Sequence, residues 1–592
     1  MPIPSYILPS APAYTEDSVY ALIPTPSTPI YTPDAISFTR GSDATRTASN
    51  GLIQRSPWNL LQQSETFENA YWGKEQLTLS SNSTTAPNST LTADTLVENT
   101  ANAIHRISYN LNVVAGTSYT LSVYVKNNGR RYFMINANTA ISARSTFDLQ
   151  DGVVSATSSG TATITNVGDG WYRCTVTGTP STSVLISAYF QLNNLGVATD
   201  TTYTGDGVSG FYIWGAQLVE GSQPLTYFPT TDRLNVPRID FSQGSCPALL
   251  LEPQRTNTML YSQAINSWAT KTELTITDNY STSPDGTINA SYIQQTTGGN
   301  AVVFTSQNVS VTTGQVQTVS FYAKAKEVTS VTLRLGTSSI WSGTLRPSFT
   351  IDLSNGTFTT TGTNVASATS QNVGNGWYRY TVVTTATIAS TTTNVQTATG
   401  YVLSPTSGDG FYLWGVQWEQ NASYATTYIP TTSTSVTRLA DSFSKSNIYT
   451  NGLITAAGGT WYVELRNNIQ YTRDAGNSNL FIGDAGNNSP SNSLEIRNGG
   501  IANSRLDLGK RISGTFTTLY STTTSTTKIA FKWNGTSVDV FVNGTKQVSA
   551  SAFTITNMEY LYLQTQDVPR YIQSMALFST PLSDAALITM TT

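Results

Sequence analysis

Charge is what this chain has least of. Its 592 residues include only 31 Lys and Arg and 35 Asp and Glu, so charged side chains make up 11%, against ~25% in ordinary globular proteins. The net charge of −4 and the lack of any Lys/Arg block exclude the electrostatic footprint of a nucleic-acid binder. There is one histidine, His105. That removes Ser-His-Asp triads, histidine metal sites and Cys-His pairs together. Two cysteines, Cys174 and Cys246, cannot build a disulfide framework. No apolar run approaches the ~18 residues needed to cross a bilayer. The opening residues have neither a basic n-region nor an uninterrupted apolar core, so a secretory signal peptide is not expected. Release by lysis is one route out of a cell that needs no such signal.

Thr, Ser, Asn and Gly fill the space that charge leaves, with aromatics at 10%. Thr and Tyr suit a half-buried pleated surface, and Gly and Asn suit turns. The mix predicts an all-β protein of the kind found outside cells or on virion surfaces. Internal repetition then organises the middle of the chain. "NLLQQS" (59–64) matches "NTMLYS" (257–262), and each is soon followed by a tryptophan, Trp72 or Trp268. "NVGDGWYRCTV" from Asn166 matches "NVGNGWYRYTV" from Asn372. "GFYIWGAQLVEGSQPLTYFPTT" (210–231) matches "GFYLWGVQWEQNASYATTYIPTT" (410–432). Within each copy, apolar and polar residues alternate: Leu121, Val123 and Val125 one way, Ser122, Tyr124 and Lys126 the other. Period-2 alternation broken by Gly, Asn and Asp predicts antiparallel strands, and two such copies predict tandem β-sandwiches. The aromatic phrase reads as a core strand that closes each domain, with Gly215 as a bulge or point of close approach.

The expected order is an extended Pro-rich N-terminal arm and connector over 1–57, a jelly-roll sandwich over 58–232, a connector over 233–257, a second jelly roll over 258–438, and a different sandwich over 439–592. Prolines 24, 26, 29 and 33 keep the arm out of a sheet interior and favour extended chain. Interspersed Tyr14, Tyr20, Tyr31, Ile7, Leu8 and Leu22 give it something to bury along another protein; a disordered tail is its other reading. The connectors carry Arg46, Arg55, Arg238 and Arg255 beside apolar patches. Those arginines could clamp neighbouring domains, contact a partner chain or simply be solvated. In the last segment "KIAFKWNGTSVDVFVNGTKQVS" predicts a meander with two Asn-Gly turns of type I′, and Ser583 is placed to cap a short C-terminal helix.

The repeat, with its "NLL…S" opening, "GWYR" strand and "TYFPTT" ending, resembles the carbohydrate-binding-module-like jelly rolls repeated in head-fibre, tail-fibre and other structural proteins of tailed bacteriophages. "FTRGSDATRTASNGLI" and "CPALLLEPQRTN" resemble the connectors before such domains. "FKWNGTSVDVFVNGTK…ALFSTPLSDAAL" is similar to the laminin-G/concanavalin-like lectin sandwich. The resemblance covers roughly residues 38–592, and none of its motifs is catalytic. It implies a fibre on the virion surface, on capsid or tail, held to other virion proteins by the N-terminal arm. Such a fibre is expected to be a homo-oligomer, with a trimer favoured, and to contact host surface glycans. It has no nucleic-acid partner and no membrane insertion. A polysaccharide depolymerase and a non-viral secreted carbohydrate-binding protein are the alternatives.

No catalytic residue, metal ligand or cofactor is expected. His105 lacks a partner in sequence and reads as a satisfied strand residue; Cys174, which stands where the second copy has Tyr380, reads as a packed thiol. The Gly-Asp-Gly turns at 205–207 and 408–410 offer one carboxylate each, too few for calcium, and Asn375 replaces Asp169 in the second copy. A glycosidase needs only two carboxylates, but no carboxylate cluster marks either repeat. Aromatics shared by both copies are accounted for by the core, so a ligand platform is sought among those present in one. Trp341 in "TSSIWSGTLRPSF" has no counterpart in the first copy. It is the candidate stacking surface for a sugar, with Arg346 as hydrogen-bond donor; packing on a neighbouring domain is its other reading.

Overall fold

The computed structural model describes residues 20–22 and 37–592, apart from 245, 269, 297–301, 305–307, 310–311, 336–346, 361–364, 387–394, 397–398, 404–406, 467–478, 487–489, 500–504, 524–526, 556 and 565–567. Among the described residues the architecture is antiparallel sheet packed as β-sandwiches. Helix among them is limited to a single turn at Asn138–Ile141, a 3-10 turn at Ile265–Ser267 and the C-terminal Asp584–Thr591. Among the described residues no helix is long and apolar enough to cross a membrane.

The first repeat lies in the compact unit that contains Arg55–Leu234. One six-stranded sheet runs Thr161–Gly168, Trp171–Gly178, Tyr119–Asn128, Gly210–Glu220, Ala93–Glu98, Leu77–Thr84. The other runs Val153–Ser159, Ala143–Asp148, Tyr132–Ala137, Val184–Asn193, Arg106–Val113, Gly73–Glu75. Leu121, Val123 and Val125 point into the core between them, as the alternation requires, and Cys174 packs there too. Burial pushes its thiol pKa well up. The second repeat rebuilds the first kind of sheet, in the order Leu274–Thr282, Ile288–Gln295, Gly410–Gln420, Val316–Ala325, Trp377–Thr385, Val365–Gly374.

The aromatic phrase is a central strand in both copies. In the first, Phe211 and Ile213 enter the core, and then Gly215 breaks the alternation so that Ala216 and Leu218 enter it as well. The register slips there against Tyr119–Asn128. Gly215 holds φ +63°, and a Cβ on it would stand 3.0 Å from the ring of Tyr124; Gly415 repeats both features with Tyr322 at 2.9 Å. A bulge with positive φ in contact with an aromatic ring admits only glycine.

The two ends of each repeat are latched together. Asn59 Nδ2 donates to the carbonyls of Ala216 (3.0 Å) and Phe228 (2.9 Å), while its Oδ1 accepts from Leu61 N (3.1 Å) and Leu218 N (3.2 Å). Ser64 Oγ meets Tyr227 Oη at 2.8 Å. Asn257 does the same with Val416, Ile429, Met259 and Trp418, and Ser262 Oγ meets Tyr428 Oη at 2.6 Å. This is why "N…S" and "TY-x-PTT" recur as a pair: they are two halves of one buried hydrogen-bond set.

The C-terminal sandwich packs a seven-stranded sheet on an eight-stranded one. Beyond residue 439 it supplies most strands, but Ser37–Thr39 pairs with Ser442–Lys445 in one sheet. Arg238–Asp240 and Ala248–Leu251 extend the other along Arg570–Phe578. The meander is present. Asn543 and Gly544 both have positive φ, the type I′ pattern expected. The earlier turn differs: Asn534 pairs with Ser537, so Gly535 and Thr536 are its centre, and only Gly535 has positive φ. That is the type II′ pattern, which needs glycine only at the first central position. Ser583 Oγ caps Asp584–Thr591 by accepting from Ala586 N at 3.2 Å.

The connector arginines are structural. Arg238 is fully buried and donates to Glu252 (2.6 Å), Thr427 Oγ1 (2.9 Å), the Thr45 carbonyl (3.0 Å) and Asp441. Arg40 reaches Asp441 at 3.0 Å, and Arg438 bonds both Glu252 and the Pro253 carbonyl. Thr427 closes the set on Glu252 with its N–H (2.8 Å) and hydroxyl (2.6 Å). Three chain segments far apart in sequence therefore meet in one dry ionic hub. Arg46 is also buried and donates to the Ile239 carbonyl (2.8 Å). Arg55 pairs with Glu220 at 3.1 Å, and Arg255 lies over the Tyr424 ring.

Candidate functional site

Among the described residues, a cluster of buried polar atoms without partners lies on the outer face of the second six-stranded sheet in the first sandwich. Along Tyr132–Ala137 and Val184–Asn193, Phe133, Ile135, Phe190 and Leu192 face the core. The alternate positions face outward. In register, Met134 stands opposite Thr146 on one side and Gln191 on the other, and Gln191 stands opposite Arg106. An outer sheet face is normally wet, yet Met134, Thr146, Gln191 and Asn193 are all fully buried.

A loop following Val184–Asn193 roofs them. Thr146 Oγ1 donates to the Val197 carbonyl at 2.7 Å, and Asn193 Nδ2 to the same carbonyl at 2.8 Å. Asp200 accepts from Asn136 Nδ2 (3.0 Å) and Arg144 Nη2 (2.7 Å), and Ser155 Oγ donates to the Gly196 carbonyl (2.7 Å). The far end of the loop is tied down by Tyr203, whose hydroxyl donates to the buried Glu98 carboxylate at 2.7 Å. Arg130 Nε donates to the same Glu98 oxygen at 3.0 Å, and its guanidinium lies over the Tyr203 ring. His105 sits in this anchor, fully buried, with Nδ1 2.8 Å from the Gln76 carbonyl and Nε2 3.4 Å from that of Tyr203. Both ring nitrogens face carbonyls and none faces a nucleophile.

Under the roof the hydrogen-bond account does not close. Gln191 Oε1 and Nε2 have no partner among the described residues, and neither do Thr201 Oγ1, Asn194 Oδ1 and Arg144 Nε. A buried unpaired polar group costs ~1–3 kcal/mol, so an amide with both ends unmade is a place for an ordered water or another small polar guest. At the margin, the Arg106 guanidinium lies 3.9 Å from the centre of the half-buried Tyr189 ring and bonds Glu75 (3.0 Å). The carboxylates here are occupied: Asp200 as above, and Asp148 by Arg131 Nε at 2.9 Å. What remains to a ligand is neutral donor and acceptor capacity beside a stacked planar pair.

Asp206 of the Gly-Asp-Gly turn accepts from Val208 N (2.9 Å), Ser209 N (2.7 Å) and Ser209 Oγ (2.6 Å), so its carboxylate holds its own turn. Those bonds, the Ser209 hydroxyl's first, draw its pKa far down. Among the described residues no group of three or more His, Cys, Asp or Glu is placed to hold a metal ion. Trp341 and Arg346 lie outside the described residues. Sequence reasoning missed the Gln191 face because it compared aromatics. The available signal was length: sixteen residues (192–207) stand where the second copy has eight (403–410).

No protein-family model matches the chain, and no curated protein matches it in sequence. Among solved structures it is similar to the N-terminal CBM22-1-CBM22-2 tandem domain of Paenibacillus barcinonensis Xyn10C. The identity is 11% and the TM-score 0.20, over 61% of this chain and 97% of that one. It is also similar to the LG1-3 region of the laminin alpha2 chain, at 11% identity and a TM-score of 0.11, over 82% and 97%. Likenesses at these scores carry no argument about what the chain binds.

Proposed function

We propose that the chain is a non-catalytic, carbohydrate-binding adhesion protein that presents its sandwiches to neutral glycans. The observation that carries this reading is Gln191, a fully buried amide with neither end paired among the described residues, under a loop that is longer in this repeat than its counterpart in the other and that must lift for a sugar to reach the amide. An amide offers a donor and an acceptor together, which suits the hydroxyls of a sugar. Tyr189 and Arg106 at the margin suit its flat face. Among the described residues around the site, Asp148, Asp200 and Glu75 are each held by an arginine, which keeps them as anions and disfavours a general acid, so binding is favoured over cleavage.

The setting we propose is a virion surface, on capsid or tail, with the N-terminal arm as anchor, host surface glycans as ligands and a homotrimer giving weak sites avidity. That setting rests on the resemblance of the repeat and connector phrases to phage fibre proteins. A secreted carbohydrate-binding protein outside any virus would use the same site. Trp341 and Arg346 are the proposed second contact, in the other repeat.

The test is a glycan array followed by calorimetry, comparing the full chain with Gln191→Met. Methionine keeps the volume and removes the unpaired amide. Affinity should fall about tenfold, the loss of roughly one hydrogen bond, while the melting temperature holds or rises. Equal binding by both proteins overturns the assignment of this face.

A further inference from the structure

We infer that the edge of strand Arg570–Phe578 is a docking site for residues Tyr20–Leu22 of a second copy of this chain, so that copies are joined by exchanged N-terminal strands. This edge is shared by two short partners. Leu249–Leu251 pair with its first residues, Arg570 to Ile572. Tyr20–Leu22 pair further along, with Tyr20 opposite Leu577, Ala21 opposite Ala576 and Leu22 opposite Met575. The other edge is filled by Gly459–Arg466. Without residues 20–22, the strand would present a row of unpaired backbone groups beside fully buried Met575, Ala576 and Leu577, the kind of edge that recruits another strand.

Three features make the occupant exchangeable. The pairing is only three residues long, so its few hydrogen bonds are set against the ordering of the chain that makes them. From residue 37 onward the chain is fixed in its own fold, by Ser37–Thr39 in the opposite sheet and by buried Arg40 on Asp441. Exchange therefore need not disturb anything beyond that point. Fourteen residues, 23–36, separate the two strands. That length reaches up to roughly 46 Å when extended, while packed sheets lie ~10 Å apart. The link is thus several times longer than the crossing between sheets. A second copy is the matched occupant because its own residues 20–22 reproduce this register unchanged, the low-cost route to assembly that swapped elements provide. The inference is independent of what the Gln191 face binds.

Directly opposed Ala21 and Ala576 allow a decisive test. Two full-length chains with different tags are co-expressed, one carrying Ala21→Cys and the other Ala576→Cys. Both also carry Cys246→Ser to remove the exposed thiol. Mild oxidation should give a linked species bearing both tags, at twice the chain mass and lost on reduction. The inference is overturned if these mixed chains give no linked species, whether the Ala21→Cys/Ala576→Cys double variant closes within one chain or forms no disulfide at all. Should the cysteine chains fail to fold, the otherwise natural chain lacking residues 1–22 is measured by light scattering against the full chain. Its mass should fall to that of a monomer, and an unchanged oligomer overturns the inference.

Discussion

Replacing Glu252 by glutamine tests whether the ionic hub holds the connectors in place. Glu252 is almost fully buried, and its carboxylate accepts from Arg238, Arg438, and both the hydroxyl and the N–H of Thr427. Glutamine keeps the shape but removes the charge, leaving two buried guanidiniums short of a counter-ion. Breaking a buried pair in this way costs about 3–5 kcal/mol. A second route gives a similar size. Burial alone would raise the Glu252 pKa, but Arg438, Arg238 and the Thr427 bonds outweigh it and hold the group at about 2, against an ordinary 4.5. That difference corresponds to on the order of 3 kcal/mol of folding free energy. Because the folded pKa is depressed, the contribution is complete above about pH 4.5 and is lost as pH falls toward 2. Urea unfolding of wild type and Glu252→Gln at a series of pH values is the assay, with hydrogen exchange followed at Ala248–Leu251 and Ser37–Thr39. The variant should be less stable at pH 7, with those strands losing protection, and the gap should close across pH 4.5 to 2. A gap under about 1 kcal/mol at pH 7, or one that does not shrink with acid, refutes the reasoning.

Three further outcomes are expected. Asn59→Ala removes four buried hydrogen bonds from the latch and should lower the stability of the first sandwich by about 3–4 kcal/mol. Asn257→Ala should do the same in the second, each read from its own unfolding transition. Gly215→Ala should cost about 2–3 kcal/mol from positive φ plus collision with Tyr124. Gly168→Ala, also at positive φ but with nothing within 4 Å, should cost about 1–2, so equal losses in thermal scans would rule out the collision. Trp341→Ala should weaken glycan binding about tenfold. A lowered melting temperature with binding intact would assign that tryptophan to packing instead.

Much of the fold was legible because its causes are local. Alternation such as Leu121/Val123/Val125 against Ser122/Tyr124/Lys126 reports a strand within six residues, and duplication reports it twice. Gly215 could be flagged as a bulge for the same reason. The hub was not legible, because Arg40 and Asp441 are 401 positions apart, and nothing near either says which charge it will meet. An arginine beside an apolar patch looks alike whether it becomes a solvated linker or, as with Arg238, the fully buried centre of a network. The turn at Gly535 shows a finer limit: Asn-Gly was read as the centre of the turn, but the pairing of Asn534 with Ser537 moved that centre by one residue. The Gln191 face escaped because its residues, Gln, Asn, Thr and Met, are unremarkable singly. Only the roof buries them.

The latch has a consequence for how such a chain is assembled over time. Gln63 N lies 2.8 Å from the Thr231 carbonyl, and Tyr261 N 2.7 Å from that of Thr432. Each repeat therefore enters and leaves through one doorway. The stretches that precede, separate and follow the repeats in sequence, Ser37–Thr39, Arg238–Asp240, Ala248–Leu251 and the strands from Ser442–Lys445 to Arg570–Phe578, share the two sheets of one framework. In sequence the repeats are insertions into that framework, and a module whose ends meet can be removed, duplicated or exchanged without re-registering the strands on either side. Under the binding role proposed above, specificity changes by replacement of a whole repeat, or by lengthening one loop as in residues 192–207, while the framework stays as it was.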